Sequence, residues 1–154
     1  MSWGFSNLGR MKPRVLIVDD EPDVLELVDY RLSGEGFEVL RAANGLEALS
    51  KARCESPQVI VLDMMLPDLD GLMVCEILRT QPSTRDVPVV VFSALDRPAT
   101  SSRGAKIRVA HWLKKGTDFD SLSDCVRAAL EEHLARVQRR LAPDEISREA
   151  KTEL

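Results

Sequence analysis

Short apolar runs alternate along the chain with longer stretches in which apolar residues recur every three or four positions. The runs are rich in valine, isoleucine and leucine, and continuous apolar runs of this length are typical of strands buried on both faces. Five strands are predicted: Arg14–Val18, Glu38–Ala42, Val59–Leu62, 89–92 and 110–113. Strands that alternate with helical stretches indicate an α/β domain built on a parallel sheet.

Proline, glycine and capping residues mark the first three predicted helices. Pro22 suits the first turn of a helix, and Gly34 lies where the apolar pattern of that helix stops. Asn44 can cap the second helix and Asp70 the third, because their side chains accept hydrogen bonds from free N–H groups of the first turn. Pro82 then ends the third helix, since proline has no N–H to continue it.

Two further helical stretches are less regular. Residues 96–107 contain proline, serines and glycine, so we expect a fourth helix that is short or mobile. In the last helix, apolar residues recur at helical spacing from Leu122 to Leu141, which is further than one domain face requires. Beyond Pro143 the tail is polar, and we expect it to be loose.

The size and composition favour one globular domain with tails. The chain has 154 residues, of which 44% are hydrophobic and 30% charged, and this is enough for a single apolar core. We expect an N-terminal extension, a central domain, and a helical extension with a flexible tail, over residues 1–11, 12–135 and 136–154. The net charge of −4 gives no electrostatic reason to expect direct nucleic-acid binding.

The sequence carries no signal for export or membrane insertion. Its longest apolar runs are far shorter than the roughly 20 residues that cross a bilayer. Residues 1–10 lack the apolar segment and cleavage pattern of a secretory signal, so we expect a cytoplasmic location without membrane contact. The three cysteines form no CxxC pair, and we expect buried or half-buried free thiols at Cys54, Cys75 and Cys125.

Carboxylates follow the first and third predicted strands. Asp19, Asp20 and Glu21 come directly after the first strand, and Asp63 follows the third. Because the carboxyl ends of parallel strands meet at one edge of a sheet, these acids converge on the edge where ligands bind. Clustered carboxylates repel one another unless a cation joins them, and hard oxygen ligands suit Mg²⁺. Asp63, at the end of a central strand, is the best candidate for a nucleophile toward phosphorus.

The later strands end in groups that complement a phosphoryl group. Ser93 could donate its hydroxyl to a phosphoryl oxygen, and Lys114 or Lys115 could neutralise its charge. Each feature alone has an ordinary structural explanation, because acids can cap a helix and lysines are usually solvated surface charges. The functional interpretation therefore depends on the combination.

Four segments, VLIVDDEPD, VLDMMLPDLDG, VVVFSA and WLKK, resemble in order the signature segments of response-regulator receiver domains. The separations of 30 residues between Asp63 and Ser93 and of 22 between Ser93 and Lys115 are also similar to those of the family. The resemblance covers about residues 12–135. It implies a flavodoxin-like, doubly wound sheet of five parallel strands in the order 2-1-3-4-5, with five helices of which the last is extended.

The resemblance also implies a metal site and a phosphorylation site. By similarity, Asp19 and Asp20 hold Mg²⁺ together with Asp63, and Met65 offers its main-chain carbonyl to the metal. Asp63 is then the phospho-acceptor in a Mg²⁺-dependent reaction. This implies a signalling protein that phosphorylates and slowly dephosphorylates itself and has no other enzymatic activity.

Three further residues match the switching machinery of the family. Ser93 corresponds to the switch hydroxyl and Lys115 to the lysine at the site. Trp112 stands where receivers usually carry a tyrosine or phenylalanine that changes rotamer on phosphorylation, although a structural tryptophan is equally compatible with the sequence.

The resemblance names classes of partner. A sensor histidine kinase or a histidine phosphotransfer protein would donate the phosphoryl group, and a downstream protein would read the switched surface. The resemblance also allows a homodimer, formed either through the face of the fourth helix and fifth strand or through the C-terminal helix. About 20 residues, 136–154, follow the predicted domain and are too few for another one, so we expect a stand-alone receiver or a fragment.

The sequence departs from the family at two places. Gly116 replaces the proline that usually joins the lysine through a cis peptide bond, so the loop either keeps a non-proline cis bond or takes a trans path, and Lys114 competes with Lys115 for the site. Arg108 and Val109 replace a small Gly-Ala pair before the fifth strand, which indicates an altered region around the fourth helix.

Two other functions fit parts of the pattern. A haloacid-dehalogenase-like phosphatase also uses an aspartyl phosphate, but Met65 stands where that class has its general acid. A degenerate receiver that binds partners without phosphorylation is the better alternative, because Gly116 departs from the family while the acidic set is intact. For a working receiver we expect slow hydrolysis, because Met65 and Leu95 flank the site and hinder an attacking water.

Overall fold

The computed structural model of the chain describes residues 12–98 and 108–152, with side chains to residue 141. Five parallel strands form one sheet: β1 Arg14–Val18, β2 Glu38–Ala42, β3 Val59–Leu62, β4 Val89–Ser93 and β5 His111–Lys114. The strand order is β2-β1-β3-β4-β5, which confirms the predicted topology. The fourth and fifth strands each end one residue later than predicted.

Within the described residues, four α-helices connect or follow the strands: α1 Pro22–Gly34, α2 Gly45–Glu55, α3 Gly71–Thr80 and α4 Leu122–Thr152. A 3-10 turn, Phe119–Ser121, leads into α4. The predicted caps are confirmed, because Asn44 Oδ1 accepts a hydrogen bond from the Glu47 N–H at 2.8 Å, and Asp70 Oδ1 accepts one from the Met73 N–H at 3.0 Å.

The helices cover both faces of the sheet, as in a doubly wound fold. Side chains of β1 alternate between the two faces, so that Leu16 packs in the cluster with α2 and α3 while Ile17 packs in the cluster with α1 and α4. All four residues of β3 are buried. The strand that precedes Asp63 therefore lies at the centre of the core, which fixes the position of the residue that follows it.

Several sequence predictions need correction. The described part of the predicted fourth helix, residues 96–98, is not helical, and residues 99–107 lie outside the described residues. The described residues thus contain four of the five expected helices, and the expected fourth helix stays a prediction over residues 99–107. The tail beyond Pro143 was expected to be loose, but α4 continues to Thr152. Alanine, glutamate, arginine and lysine around the proline favour a helix and oppose the lost hydrogen bond and steric clash that a proline introduces.

The cysteine prediction is partly wrong. Cys75 is buried and Cys125 is partly buried, but Cys54 is exposed. The buried face of α2 carries Ala48 and Ala52, and a residue two positions after Ala52 points to the opposite side of a helix. Across the described ranges, every helix is too short or too polar to span a lipid bilayer.

Gly71 allows α3 to begin against the loop that follows Asp63. Its N–H donates to the Met64 carbonyl at 2.9 Å, and a Cβ atom at this glycine would lie 2.5 Å from Met64 Cα. That distance is too short for any real Cβ contact, and the obstructing atom is backbone. The lack of a side chain at Gly71 therefore allows the loop after β3 and the start of α3 to come into close backbone contact.

We predict that Gly71→Ala lowers the free energy of unfolding by about 1–3 kcal/mol, because the added methyl group overpacks a backbone contact. Chemical denaturation measures the change. Gly34→Ala is the matched control, since nothing lies within 4 Å of a Cβ at the end of α1. The control is expected to be neutral or slightly stabilising, because alanine favours a helix more than glycine does. An equal loss in both variants would contradict the packing argument.

Candidate functional site

The register of the sheet brings two buried carboxylates to the same edge. Val18 of β1 is paired with Leu62 of β3, so Asp19 and Asp63 leave their strands at the same level. Their side chains are only 5% and 4% exposed. Carboxylate oxygens of these two residues and of the exposed Asp20 and Glu21 all lie within 4.8 Å of one another.

The ammonium group of Lys115 lies among these carboxylates. Its Nζ is 2.6 Å from Asp19 Oδ2, 2.9 Å from Asp63 Oδ2 and 3.3 Å from Glu21 Oε1. Burial raises the pKa of Asp19, against the opposing hydrogen bond from the lysine. Burial alone would lower the pKa of Lys115, but its hydrogen bonds to Asp19 and Asp63 outweigh burial and hold that pKa above its usual value. The lysine therefore stays charged and offsets part of the negative charge.

The neighbouring Lys114 takes no part in the cluster. Its side chain forms an ion pair with the exposed Asp96 at 2.9 Å. Lys114 is the last residue of β5, whereas Lys115 lies in the turn that follows, and it is Lys115 whose side chain contacts the carboxylates. The structure thereby resolves the sequence ambiguity in favour of Lys115.

The second oxygen of Asp63 accepts two hydrogen bonds. The Ser93 hydroxyl, which is fully buried, donates to Asp63 Oδ1 at 2.7 Å, and the Met65 N–H donates to the same atom at 3.1 Å. Beyond Ser93, the Leu95 N–H donates to the serine Oγ at 3.3 Å, and the Trp112 indole N–H donates to the Leu95 carbonyl at 2.9 Å. A continuous line of hydrogen bonds therefore joins Asp63 to the half-buried Trp112.

The loop after β5 holds the lysine in place without a cis peptide bond, since the described residues contain none. Gly116 has a φ of +91°, a conformation that glycine adopts more readily than any other residue. The Lys115 N–H donates to the Ser93 carbonyl at 2.9 Å, and the Lys114 N–H donates to Asp118 Oδ2 at 2.8 Å. The trans path, one of the two alternatives left open by the sequence, brings the lysine to the site.

Glu21 belongs to the acidic cluster although the sequence analysis did not assign it to the metal. Its own N–H donates to Asp19 Oδ1 at 2.9 Å, which turns the chain back toward the cluster. The signal was the unbroken acidic run that follows β1, but a third consecutive acid is equally suited to the start of a helix. The assignment of the Met65 carbonyl as a ligand stays a prediction.

Asp68 is a second residue that sequence reasoning missed. Its two carboxylate oxygens accept hydrogen bonds from the Gly45 and Leu46 N–H groups at 2.8 and 2.9 Å, and these hydrogen bonds lower its pKa. The loop after Asp63 is thus attached to the N-terminal end of α2. A lone aspartate 23 positions further along the chain gives no sequence signal for such a cap.

The donor set of the cluster fits a divalent cation. Four carboxylates face one ammonium group, so the described site keeps an excess of negative charge. All the donors are hard oxygen atoms, and Mg²⁺ and Ca²⁺ prefer such ligands. The arrangement can hold a metal ion beside a buried carboxylate that is already contacted by a hydroxyl and an ammonium group.

Comparison with known proteins gives one consistent result. A family model described as the response regulator receiver domain matches residues 15–127. The chain is 36% identical over 118 residues to the DNA-binding dual master transcriptional regulator RpaA of a Synechocystis strain, which covers 77% of this chain and 49% of that protein. The chain therefore spans about half the length of this curated relative.

Solved structures of similar proteins include two that match almost their entire length. The chemotaxis protein CheY4 of Vibrio cholerae is 28% identical with a TM-score of 0.71, and the match covers 77% of this chain and 99% of that one. The response regulator protein TrrA of Thermotoga maritima, solved in complex with Mg²⁺-BeF, is 30% identical with a TM-score of 0.68 and the same coverages.

We predict that Lys115→Gln lowers the free energy of unfolding of the metal-free protein by about 3 kcal/mol, because two buried carboxylates lose their counterion. Chemical denaturation in the presence of EDTA measures the loss. Lys114→Gln removes the adjacent lysine, whose side chain is exposed, and is expected to leave the unfolding midpoint unchanged. If the two variants unfold alike, the ammonium group does not compensate the carboxylates.

Proposed function

The chain belongs to the response regulator receiver family, and on that premise we propose that it accepts a phosphoryl group on Asp63 in a Mg²⁺-dependent reaction. The donor would be a sensor histidine kinase or a histidine phosphotransfer protein. The observation that carries the proposal is the environment of Asp63, a 3% exposed residue contacted by the Ser93 hydroxyl, the Lys115 ammonium and a carboxylate cluster suited to a cation.

The proposed transfer needs a nucleophile and groups that stabilise the transferring phosphoryl oxygens. A carboxylate oxygen of Asp63 would form the new bond to phosphorus while the phosphorus–nitrogen bond of the donor phosphohistidine breaks, and the departing imidazole keeps the electron pair and gains a proton. Ser93 and Lys115, which already donate to Asp63, would donate to phosphoryl oxygens instead. Positioned donors of this kind stabilise charge without reorganisation during the reaction.

The acidic cluster would serve the same reaction by holding the metal ion. We assign Asp19, Asp20 and Asp63 as its carboxylate ligands and the main-chain carbonyl of Met65 as a further one. Glu21 lies close enough to join this set. When bound, Mg²⁺ would offset negative charge on the transferring group. TrrA, with Mg²⁺-BeF in its crystal structure, supports this choice of cation.

The hydrogen bonds beyond Asp63 suggest how the state of that residue would reach the surface. Ser93 donates to Asp63, and the backbone of Leu95 contacts both Ser93 and Trp112. If Ser93 turns toward a phosphoryl oxygen, its Oγ no longer accepts the hydrogen bond from the Leu95 N–H. The backbone of Leu95 can then shift, and its carbonyl is the group that accepts the hydrogen bond from the Trp112 indole. Ser93 and Trp112 are therefore the proposed switch residues, and a downstream protein would read the altered surface.

The alternative of a phosphorylation-independent interaction module receives less support. Two buried carboxylates and a partly buried lysine carry a desolvation cost that a domain that only presents a surface would not need. An external phosphatase activity is also disfavoured, because the Met65 thioether cannot act as a general acid. We propose self-phosphorylation and slow self-dephosphorylation only, with protein partners and no direct nucleic-acid contact. Homodimers through the β5 face or α4 stay a prediction.

We predict that the wild-type chain gains the mass of one phosphoryl group when it is incubated with Mg²⁺ and acetyl phosphate. Asp63→Asn should gain none, whereas Asp96→Asn, which alters an exposed acid paired with Lys114, should behave like wild type. Intact-mass spectrometry is the measurement, and EDTA should abolish the gain. Wild-type tryptophan fluorescence should change in parallel. Phosphorylation of Asp63→Asn to the wild-type extent would overturn the assignment.

We further predict that the acyl phosphate is slow to hydrolyse, because the apolar side chains of Met65 and Leu95 flank the site and are 59% and 45% exposed. Met65→Asn should hydrolyse faster, since a polar side chain can orient a water. Met73→Asn makes the same change at an exposed position on α3 and should keep the wild-type rate. Loss of the phosphoryl mass with time is the readout, and a wild-type half-life of seconds would disprove the prediction.

A further inference from the structure

A basic pocket lies at the edge of the sheet opposite Asp63. It has a volume of about 210 Å³ and opens beside the residues that precede β4 and β5. Its charged lining residues come from the end of α3, the following loop, the approach to β5 and the middle of α4: Arg79, Arg85, Asp86, Arg108, Glu132 and Arg136. The proposed phosphorylation chemistry uses none of them.

Arg79 lines the basic pocket, and its guanidinium group donates hydrogen bonds to backbone carbonyls. Its Nη1 donates to the Arg85 and Val87 carbonyls at 2.9 and 2.8 Å, and its Nη2 donates to the Arg108 carbonyl at 2.9 Å. All three acceptors are neutral, and the described residues offer this guanidinium no ion pair. Its Nε is buried and has no acceptor among them either. Arg79 is partly buried, and withdrawing a charge from water without a counterion in direct contact is unfavourable, which leaves this position suited to an anion.

The acids of the basic pocket do not cancel its positive charge. Asp86 is occupied by Arg140, whose two terminal nitrogens lie 2.9 and 3.4 Å from its carboxylate, and by Arg85 at 3.8 Å. Glu132 is the other carboxylate in the lining. Four arginines and two carboxylates thus line the basic pocket, and one of these carboxylates is already paired with Arg140 from outside the lining, although the whole chain has a net charge of −4.

We propose that the basic pocket binds a small anion that carries a phosphate group. Guanidinium groups present paired N–H donors that match phosphate oxygens, and several of them around one concavity give both charge and directed hydrogen bonds. The volume of about 210 Å³ is below the roughly 300–1,000 Å³ typical of sites for drug-sized ligands. The pocket therefore suits inorganic phosphate or a small phosphate monoester.

A ligand in the basic pocket would contact segments that lead directly into the strands of the phosphorylation site. Val87 and Pro88 precede β4, which ends at Ser93, and Val109 and Ala110 precede β5, after which Lys115 follows. The ligand would also link the end of α3 to α4 through Arg79 and Arg136. The site is separate from Asp63, and its existence does not depend on phosphorylation.

Isothermal titration of the full chain with inorganic phosphate tests the proposal, with EDTA present and ionic strength held constant with NaCl. We expect one phosphate per chain. Arg136→Gln should weaken binding about tenfold, because one charged hydrogen-bond donor is lost. Arg139→Gln changes another exposed arginine on α4 outside the lining and should bind as wild type does. Titration with glycerol 2-phosphate distinguishes a site for free phosphate from one for monoesters.

A second pair of variants should move affinity in the opposite direction. Glu132→Gln removes a negative charge from the lining and is expected to tighten phosphate binding severalfold, whereas Glu131→Gln alters an exposed acid outside it and should have no effect. Circular dichroism confirms that each variant is folded.

Three results would overturn the proposal. The first is the absence of binding to the wild type. The second is an equal loss in Arg136→Gln and Arg139→Gln, which would mean general charge screening. The third is tighter binding of a short DNA duplex than of phosphate through the same arginines. This result would indicate a surface for polyanions rather than a pocket for a small anion.

Discussion

The contact of one ammonium group with two buried carboxylates is the interaction on which the rest of the site depends. Asp19 and Asp63 would repel each other at the edge of an apolar core, and Lys115 lies within 2.9 Å of both. One ammonium group does not balance the charge of the cluster, because Asp20 and Glu21 add two more carboxylates and leave it negative overall. Lys115 therefore compensates part of the charge of the cluster, and the remaining negative charge favours binding of a cation.

The geometry of this contact is set by the sheet rather than by the loops alone. β1 and β3 are adjacent and end in register, which sets the spacing of the two carboxylates, and β4 separates β3 from β5. The lysine must therefore cross over β4, and the hydrogen bond from its N–H to the Ser93 carbonyl fixes the crossing. Because the helices bury both faces of these strands, the ends of the strands have little freedom to move.

Periodic and local signals predicted most of the fold. The apolar runs identified all five strands, and Asn44 and Asp70 identified two helix starts, because capping is a property of a few adjacent residues. The strand order came from family resemblance and could not be obtained from periodicity. The continuation of α4 past Pro143 was missed, since a single breaking residue was weighed above the favourable residues around it.

The sequence predicted most residues of the candidate site but not the backbone path that brings them together. Residue type and strand-end position identified Asp19, Asp63 and Ser93. Lys115 rather than Lys114 reaches the carboxylates because of the backbone path of the turn after β5, in which Gly116 has a φ of +91°, and residue type alone does not predict that path.

The charges at the two edges of the sheet have opposite sign, and the same strands separate them. Carboxylates exceed cations at the carboxyl ends of the strands, whereas arginines exceed carboxylates in the basic pocket at the amino ends of β4 and β5. Val90 and Val91 lie between the two edges and are fully buried. A close-packed interior of this kind resists independent movement of the two ends of a strand. An anion bound at one edge would therefore act on strands whose other ends hold Ser93 and Lys115.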